Sequence, residues 1–417
     1  MRVKPFRGYR YGIGRAFDLS KVVAPPYDQI SPERQQHLLA MSPDNIVRVT
    51  LPEERPGEPP GAPYGRARAV LERWLAGGVW SPEEVPAIYP YHQIYAVNAA
   101  FTVTRMGFVA LGEVSDYAEG GAVLPHERTH AGPKQDRMRL LEATGADVGL
   151  LFMLASDPDG ALGRAMTPAS APLVEARDLQ GERHRLWRVI DEDAIRAVVE
   201  LMASRSVIIA DGHHRYETAV EYARRHPGAR DKLMAFFPLE GPGLTILPNH
   251  RLVHGVVDFS LERLVRDAAP CFDARPLHDP ERFIATNTEI GVVTAQGAAV
   301  LSLRPDGASR IAWPDGTSAA WRSLAVSILH EGLLRPWLTV TEAKLDARTH
   351  VDYTADQDEA IALARAGRYQ AAFLIAPTTP DELQAVIRGG ELLPQKSTHF
   401  YPKLLDGLVF HRLEPPS

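Results

Sequence analysis

The sequence predicts a mixed α/β fold of the α+β kind, with an N-terminal region over residues 1–255 and a C-terminal α/β region over residues 256–417. Three observations predict it. Short apolar runs rich in β-branched residues alternate with amphipathic segments of helical period. Many of the 34 prolines sit where such a run hands over to a loop, as in APPYD, LPEERPGEPPG and FFPLEGPG. The 417 residues correspond to two or three domains at about 150 residues each, enough to bury a core without metal or disulfide staples.

Taken in order, residues 22–24 are a short apolar run ending at Pro25-Pro26. Ser31-Pro32-Glu33 reads as a helix start, with a serine N-cap, proline at the first position and an acid in the first turn. Residues 45–51, NIVRVTL, alternate and are β-branched, which predicts a strand. The Pro/Gly/Glu-rich stretch 52–63 reads as an exposed loop. A helix is predicted over 66–77, strands over 101–114, a helix over 134–143 and a buried strand over 148–155. A helix over 191–204 precedes the apolar strand 207–210. The next helix has Tyr216, Ala219, Val220 and Ala223 at i, i+3, i+4 and i+7. Strands follow at 233–237 and 244–247. The second half predicts helices at 260–268, 321–334, 355–366 and 379–388, and strands at 290–294, 298–303, 371–375 and 407–411. No internal repeat marks the boundary near residue 256.

Hydrophobic residues are 45% and charged residues 24%, values of an ordinary globular protein that exclude a disordered or fibrous chain. One cysteine, Cys271, excludes an intramolecular disulfide and a Cys-rich metal site. With no histidine beside it, Cys271 is taken as structural. A net charge of −6 argues against general nucleic-acid binding, which needs a clustered basic surface. No run of about 18 apolar residues predicts a membrane span. The opening residues MRVKPFRGYRYGIGR lack the apolar core of a signal peptide, so the expected compartment is the cytoplasm.

The sharpest local signal is VIIADGHHRYETA at 207–219. A buried strand ends at Ala210, Asp211-Gly212 makes the turn, and a helix begins by about His214. Amides at a helix start have no intrahelical partner and, with the dipole, favour an anion such as phosphate. Gly212 allows close backbone approach. His213, His214 and Arg215 add donors, and arginine offers a fork suited to phosphate. The bland alternative makes Asp211 an N-cap and the histidines bystanders.

A second cluster is LPHERTHAGPKQDR at 124–137. His126-Glu127-x-x-His130 fits a zinc-hydrolase pattern, which works only within a helix. Pro125 before it and Gly132-Pro133 after it favour instead a polar loop leading into a helix at Lys134. Glu127, Lys134, Asp136 and Arg137 then offer mixed charges. A third cluster, LPQKSTHFYPK at 393–403, departs from a P-loop: Gln395 replaces the glycine before the lysine, and the loop follows a helix. Lys396, Ser397, Thr398, Tyr401 and Lys403 remain as side-chain donors. Asn249, His250 and Arg251 follow the apolar run at 244–247 and Pro248. Asp28 ends the run at Pro25-Pro26-Tyr27. Each of these has an ordinary turn or docked loop as its alternative. No G-x-S-x-G elbow is present, and Gly12 and Gly14 lack the third glycine of a dinucleotide fingerprint.

Together APPYDQIS, DNIVRVTLP, HERTHAGPKQDR, ADGHHRYETA, ILPNHR and KSTHFYPKLLDGL resemble a bacterial and archaeal family labelled as domain of unknown function 1015. The matching stretches run from about residue 24 to 408. The DGHHRYETA stretch also resembles the ParB/sulfiredoxin superfamily, in which a Gly-x-[His/Arg]-Arg turn at a helix start binds nucleotide phosphates. That resemblance implies a ParB/sulfiredoxin-like nucleotide-binding core over residues 1–255, with the C-terminal region contributing the KSTHFYPK loop. His213 stands where sulfiredoxins carry their reactive cysteine, which argues against sulfinic-acid reduction. The chain lacks the basic character of partition proteins. Free-serine kinases remain as the functional analogy.

The expected function is therefore a phosphotransferase or phosphoester hydrolase acting on a small hydroxy acid, serine or phosphoserine, with ATP or ADP and Mg²⁺. Phosphate or nucleotide binding is assigned to Gly212, Arg215, Lys134, Arg137, His250, Arg251, Lys396, Ser397, Thr398 and Lys403. The catalytic candidates are Asp28, Glu127, His213 and His214, with Asp28 or Glu127 as base. The Mg²⁺ candidates are Asp211 and Asp136. The alternatives are a non-catalytic nucleotide-binding regulator of the ParB type and a zinc hydrolase through His126, Glu127 and His130. A small molecule is the expected partner, with no membrane or nucleic acid, and a homo-oligomer is left open.

Overall fold

The computed structural model describes residues 1–12, 17–98, 101–117, 121–128, 131–341, 344–345, 347 and 349–413. Gly14 and His130 lie outside the described residues. The chain forms two compact units. The first comprises Met1–Pro125, Thr129–Leu244 and Pro402–Ser417, and the second comprises His126–Arg128 and Thr245–Tyr401. One passage of the chain from the first unit to the second falls at Leu244/Thr245. The reason is pairing: Thr245–Leu247 pairs with His399–Tyr401, and His250–Val253 lies in the sheet of the second unit.

The first unit is built on a nine-stranded sheet. Its order is Val123–Leu124, Val207–Asp211, Leu151–Ala155, Asp231–Pro238, Phe101–Glu113, Tyr89–Asn98, Arg183–Leu186 and Val174–Arg177, with Val3–Lys4 also on Phe101–Glu113. Val207–Asp211 pairs parallel with Val123–Leu124 and antiparallel with Leu151–Ala155, which in turn pairs parallel with Asp231–Pro238. The core of this unit gathers Leu151, Met153, Val207, Ile209, Phe108 and Phe236 from the sheet with Val198, Met202, Tyr216 and Ala219 from two helices. Those helices are Glu192–Ala203, capped by the Asp191 carboxylate on Ala194 N, and His213–Arg225.

The second unit has an antiparallel six-stranded sheet. Its order is Phe272–Pro276, Ala298–Leu303, Glu289–Val293, Ala371–Leu374, His250–Val253 and Val351–Thr354. Helices Leu261–Ala268, Gln357–Arg365 and Pro380–Arg388 begin at Ser260, Asp356 and Thr379, whose side chains each accept an amide of the first turn. Both units mix helices with sheets, as the sequence predicts. Cys271 is buried. No helix among the described residues is long and apolar enough to cross a membrane.

Three expected elements differ. NIVRVTL is not a strand but holds the short helix Val47–Thr50. Asn45 causes it: its Oδ1 accepts from Val47 N at 3.0 Å, and its Nδ2 donates to Lys21 O and Val23 O. Ile46, Val47, Val49 and Thr50 are buried together at helical spacing. The expected helix 321–334 is broken into Ala319–Arg322 and Ala325–Leu329, a π turn at His330–Leu334, and Arg335–Leu338. Pro336 has no N–H for Gly332 O and its ring crowds that carbonyl, so a regular α-helix cannot pass this point. Residues 407–411 form a strand only at His411–Arg412, with Phe410 bridging Tyr9.

Candidate functional site

Strand Val207–Asp211 carries an irregularity at its end: Ile209 faces Met153, but Asp211, not Ala210, faces Phe152. This bulge re-aims Asp211 at the strand's mouth. Gly212 follows at φ +101°, and the helix begins at His213. A Cβ on Gly212 would lie 2.6 Å from Leu151 Cδ2 and 3.2 Å from the Arg215 guanidinium carbon. Only glycine fits both the backbone angle and the space. His213 and Arg215 are buried, while His214 is half-buried.

Arg215 donates from one Nη to Leu150 O at 2.5 Å and pairs with Asp211 Oδ1 at 3.3 Å. Burial opposes its charge, but Asp211, Asp28, Asp406 and Tyr27 outweigh burial and hold it protonated. Asp28, exposed in the 3₁₀ turn Tyr27–Gln29, thus lies in the electrostatic reach of Arg215. Lys403 Nζ donates to the second Asp211 oxygen at 2.9 Å. Two cations therefore flank the carboxylate at the turn.

Lys403 is set by a buried polar contact across two strands. Gln93 faces Arg105 in the pairing of Tyr89–Asn98 with Phe101–Glu113. Arg105 Nε donates to Gln93 Oε1 at 3.0 Å and its Nη2 to Pro402 O, while Gln93 Nε2 donates to Lys403 O at 2.8 Å. Further along, Asp406 exchanges backbone hydrogen bonds with Ala24. The segment after Pro402 is thus fastened on both sides of its two charged residues.

Behind Arg215 is a small cavity of about 60 Å³, lined among others by Tyr27, Arg137, Asp147, Arg215, Lys232 and Asp406. It has room for about two waters. The five charged side chains are all buried. Lys232 pairs with Asp147 and donates to Gly149 O at 3.0 Å, and Leu233 N donates to Asp147 Oδ2 at 2.7 Å. Burial pushes the Asp406 carboxyl up to about 7, against the pull of Arg215 and Lys232. Arg137 lies 3.9 Å over the Tyr27 ring, donates to Thr50 O and pairs with Asp136. Asp136 also accepts from Tyr64 at 2.7 Å.

A larger groove, about 680 Å³, lies between helices Ala131–Thr144 and His213–Arg225. Its charges are largely paired: Lys134 with Glu217, Arg224 with Asp116, and Arg225 with Glu142. Tyr117 stacks on Tyr216 at 5.5 Å and is 38% exposed, an open aromatic face on its wall.

The second unit gathers its own set. His126 Nε2 meets Thr398 Oγ1 at 2.9 Å, and Leu393 N donates to His126 O. Asn249 Nδ2 donates to Lys396 O and Thr398 O, both at 3.1 Å. Arg251, fully buried, donates to Asn249 O, to Gln395 O and Lys396 O at 3.2 and 3.1 Å, and lies 3.3 Å from His330 Nε2. His250 Nδ1 accepts from Ile375 N at 3.3 Å, and burial pushes its pKa down to about 4. Ser397 Oγ donates to Pro394 O and its carbonyl accepts from Thr378. Glu127 lies in the electrostatic reach of Arg251.

The sequence-derived candidates thus divide. Asp28, Lys134, Asp136, Arg137, Asp211, Gly212, His213, His214, Arg215 and Lys403 belong to the first unit, and Glu127, His250, Arg251, Lys396, Ser397 and Thr398 to the second. Arg215, Arg137 and Arg251 are buried and donate to carbonyls, and Arg215 and Arg137 also pair with carboxylates. Of the expected Mg²⁺ ligands, Asp211 pairs with Arg215 and Lys403, and Asp136 pairs with Arg137. No metal-binding group of three His, Cys, Asp or Glu occurs among the described residues. Residues 126–128 are not helical and the helix starts at Ala131, so the helical zinc-hydrolase pattern does not form at His126 and Glu127. Asp406, Lys232, Asp147 and His330 were not candidates in sequence. Asp406 alone left a trace, in the Asp-Gly turn of KLLDGL, where Gly407 has φ +100°.

A family model described as "Protein of unknown function (DUF1015)" matches residues 3–327. No curated protein matches the chain. Solved structures with detectable likeness include a conserved hypothetical protein from Pyrococcus furiosus, at 12% identity and TM-score 0.36, covering 68% of this chain and 89% of that one. A free serine kinase in complex with AMP aligns at 12% identity and TM-score 0.36, covering 67% and 83%. SbnI with a C-terminal truncation, from Staphylococcus aureus, aligns at 11% identity and TM-score 0.37, covering 72% and 85%. Likeness at this level carries no argument about chemistry.

Proposed function

The chain belongs to the DUF1015 family, and from that premise we propose that its first unit binds the phosphates of a nucleotide or phosphoester and transfers a phosphoryl group to or from a small hydroxy acid such as serine. The carrying observation is the junction itself. A bulged strand delivers Asp211, Gly212 at φ +101° turns the chain, and a helix of 13 residues starts at His213. Lys403 stands 2.9 Å from Asp211 at the same turn. Helix-start amides and cations are the parts that phosphoryl transfer requires, since it is mostly positioning and charge neutralisation.

Phosphate contacts are assigned to the helix-start backbone, His213, His214 and Lys403. Asp28, exposed and in the same unit, is the base that accepts a substrate hydroxyl proton. The groove of about 680 Å³ has the size to take a nucleotide, with Tyr117 as a stacking surface for its base. Mg²⁺ is expected to enter on the nucleotide phosphates. Asp211 and Asp136 are occupied by cationic neighbours, so no protein ligand is assigned to it.

A second reading, nucleotide binding without catalysis, is favoured by that same compensation of both acids. Phosphorus NMR of the purified protein with phosphoserine and Mg²⁺, with and without ADP, separates the two. ATP formed only when ADP and phosphoserine are both present is the kinase run in reverse. Free phosphate without nucleotide is a phosphatase. No turnover in either tube contradicts phosphoryl transfer on this substrate and leaves binding alone.

A further inference from the structure

Lys396 sits in a turn that lysine does not favour. It follows Pro394-Gln395 and has φ +56°, one of three non-glycine residues among those described with a left-handed backbone. At this position in a turn glycine or asparagine is the usual choice. The backbone is held there from outside. Arg251 donates to the carbonyls of Gln395 and Lys396, Asn249 donates to those of Lys396 and Thr398, and Ser397 Oγ closes the turn on Pro394 O. A strained conformation fixed by several independent hydrogen bonds is a feature of ligand-binding turns.

Among the described residues the positive charge at this turn is only partly compensated. The Lys396 side chain is half-buried, and its ammonium makes no hydrogen bond or ion pair among the described residues. Arg251 is fully buried, and its hydrogen-bond partners among the described residues are carbonyls and His330 Nε2, with no carboxylate. Its Nε is buried and has no hydrogen-bond partner among the described residues. His330 and His250 are kept neutral, because burial and the Arg251 charge push both pKa values down. Glu127 is the acid whose charge reaches Arg251. Two cations and one carboxylate leave a net positive turn, and burying part of that charge is costly unless an anion joins it.

We propose that the 394–397 turn of the second unit is a binding site for the anionic group of a small ligand, a carboxylate or a phosphate, with the Lys396 ammonium as its direct contact. This goes beyond the phosphoryl-transfer reading and stands or falls without it.

The test is calorimetric titration of serine, phosphoserine and inorganic phosphate into the full-length protein, into Lys396→Gln and into Lys396→Gly. Glutamine removes the charge and keeps a side chain, and glycine removes the charge and relieves the backbone. Both variants are expected to bind at least tenfold more weakly, while Lys396→Gly melts no lower than the natural protein. A loss for serine and phosphoserine alike assigns the carboxylate. A loss for phosphoserine and phosphate with serine unchanged assigns the phosphoryl group. Equal affinity of the natural protein and both variants for all three probes, absence of binding included, overturns the proposal, and a raised melting temperature of Lys396→Gly alone would then mark a turn residue only.

Discussion

Lys403 Nζ lies 2.9 Å from Asp211 Oδ2, although 192 positions separate the two in sequence. A residue from the C-terminal segment thus completes the turn that opens helix His213–Arg225. Both side chains are mostly buried, at 18% and 15% exposure. The pair joins the strand end to the segment that Arg105 and Gln93 hold in place.

Replacing Lys403 with methionine keeps the aliphatic stem and removes the charge. The pair is partly screened by solvent, so the stability change is expected to be about 1 kcal/mol. Nucleotide affinity is expected to fall at least tenfold. Titration calorimetry beside urea unfolding separates the two effects, and an unchanged affinity would remove Lys403 from the site.

Gly212→Ala puts a Cβ 2.6 Å from Leu151 Cδ2 at a backbone angle of +101°. The expected loss is about 1–3 kcal/mol from the backbone alone, with the steric clash added. Urea unfolding measures it. A loss below about 0.5 kcal/mol, the range of an ordinary surface change, would show that the turn relaxes freely.

Arg215→Met leaves Asp211 without one of its two cations and Leu150 O without its side-chain donor. Removing one partner of a buried pair costs about 3–5 kcal/mol. This variant is therefore expected to lose stability first, and to be a poor probe of binding. A fully stable Arg215→Met would contradict its structural role.

Asp406 has its carboxyl pushed up to about 7 by burial, above the value of 3.8 in an unfolded chain. A native pKa raised above the unfolded one gives a contribution that is fully present below the unfolded value and is lost as pH rises through the native value. The urea midpoint is expected to carry a falling component between about pH 4 and 7, and Asp406→Asn is expected to flatten it. The same slope in both proteins would assign it to another group.

Helix starts were legible because their chemistry is local. Ser31 caps the helix that sequence placed after it, and Asp191 and Ser260 cap the helices that sequence placed from those residues onward. The strand–turn–helix at 207–225 was legible for the same reason, as an apolar run, a glycine and a helical period meet within a few residues. Strand Tyr89–Asn98 was not, because Pro90, His92 and Gln93 interrupt its pattern, and Gln93 is tolerated inside only through Arg105 on the next strand. NIVRVTL misled because its alternation suits a strand, and only the distant Lys21 and Val23 carbonyls reveal what Asn45 does. Asp406 and Lys232 were invisible as site residues because their meaning comes from the cavity they share with Arg215 and Asp147.

The most direct test of the proposed site is ADP affinity, by titration calorimetry, of the natural protein against His214→Ala. His214 is half-buried in the first turn of the helix and leaves the Arg215 ion pair untouched when removed. If the helix start binds phosphates, ADP binds the natural protein and the variant binds it at least tenfold more weakly with the same melting temperature. Equal ADP affinity in both, or no ADP binding to either, contradicts a phosphate site at this turn.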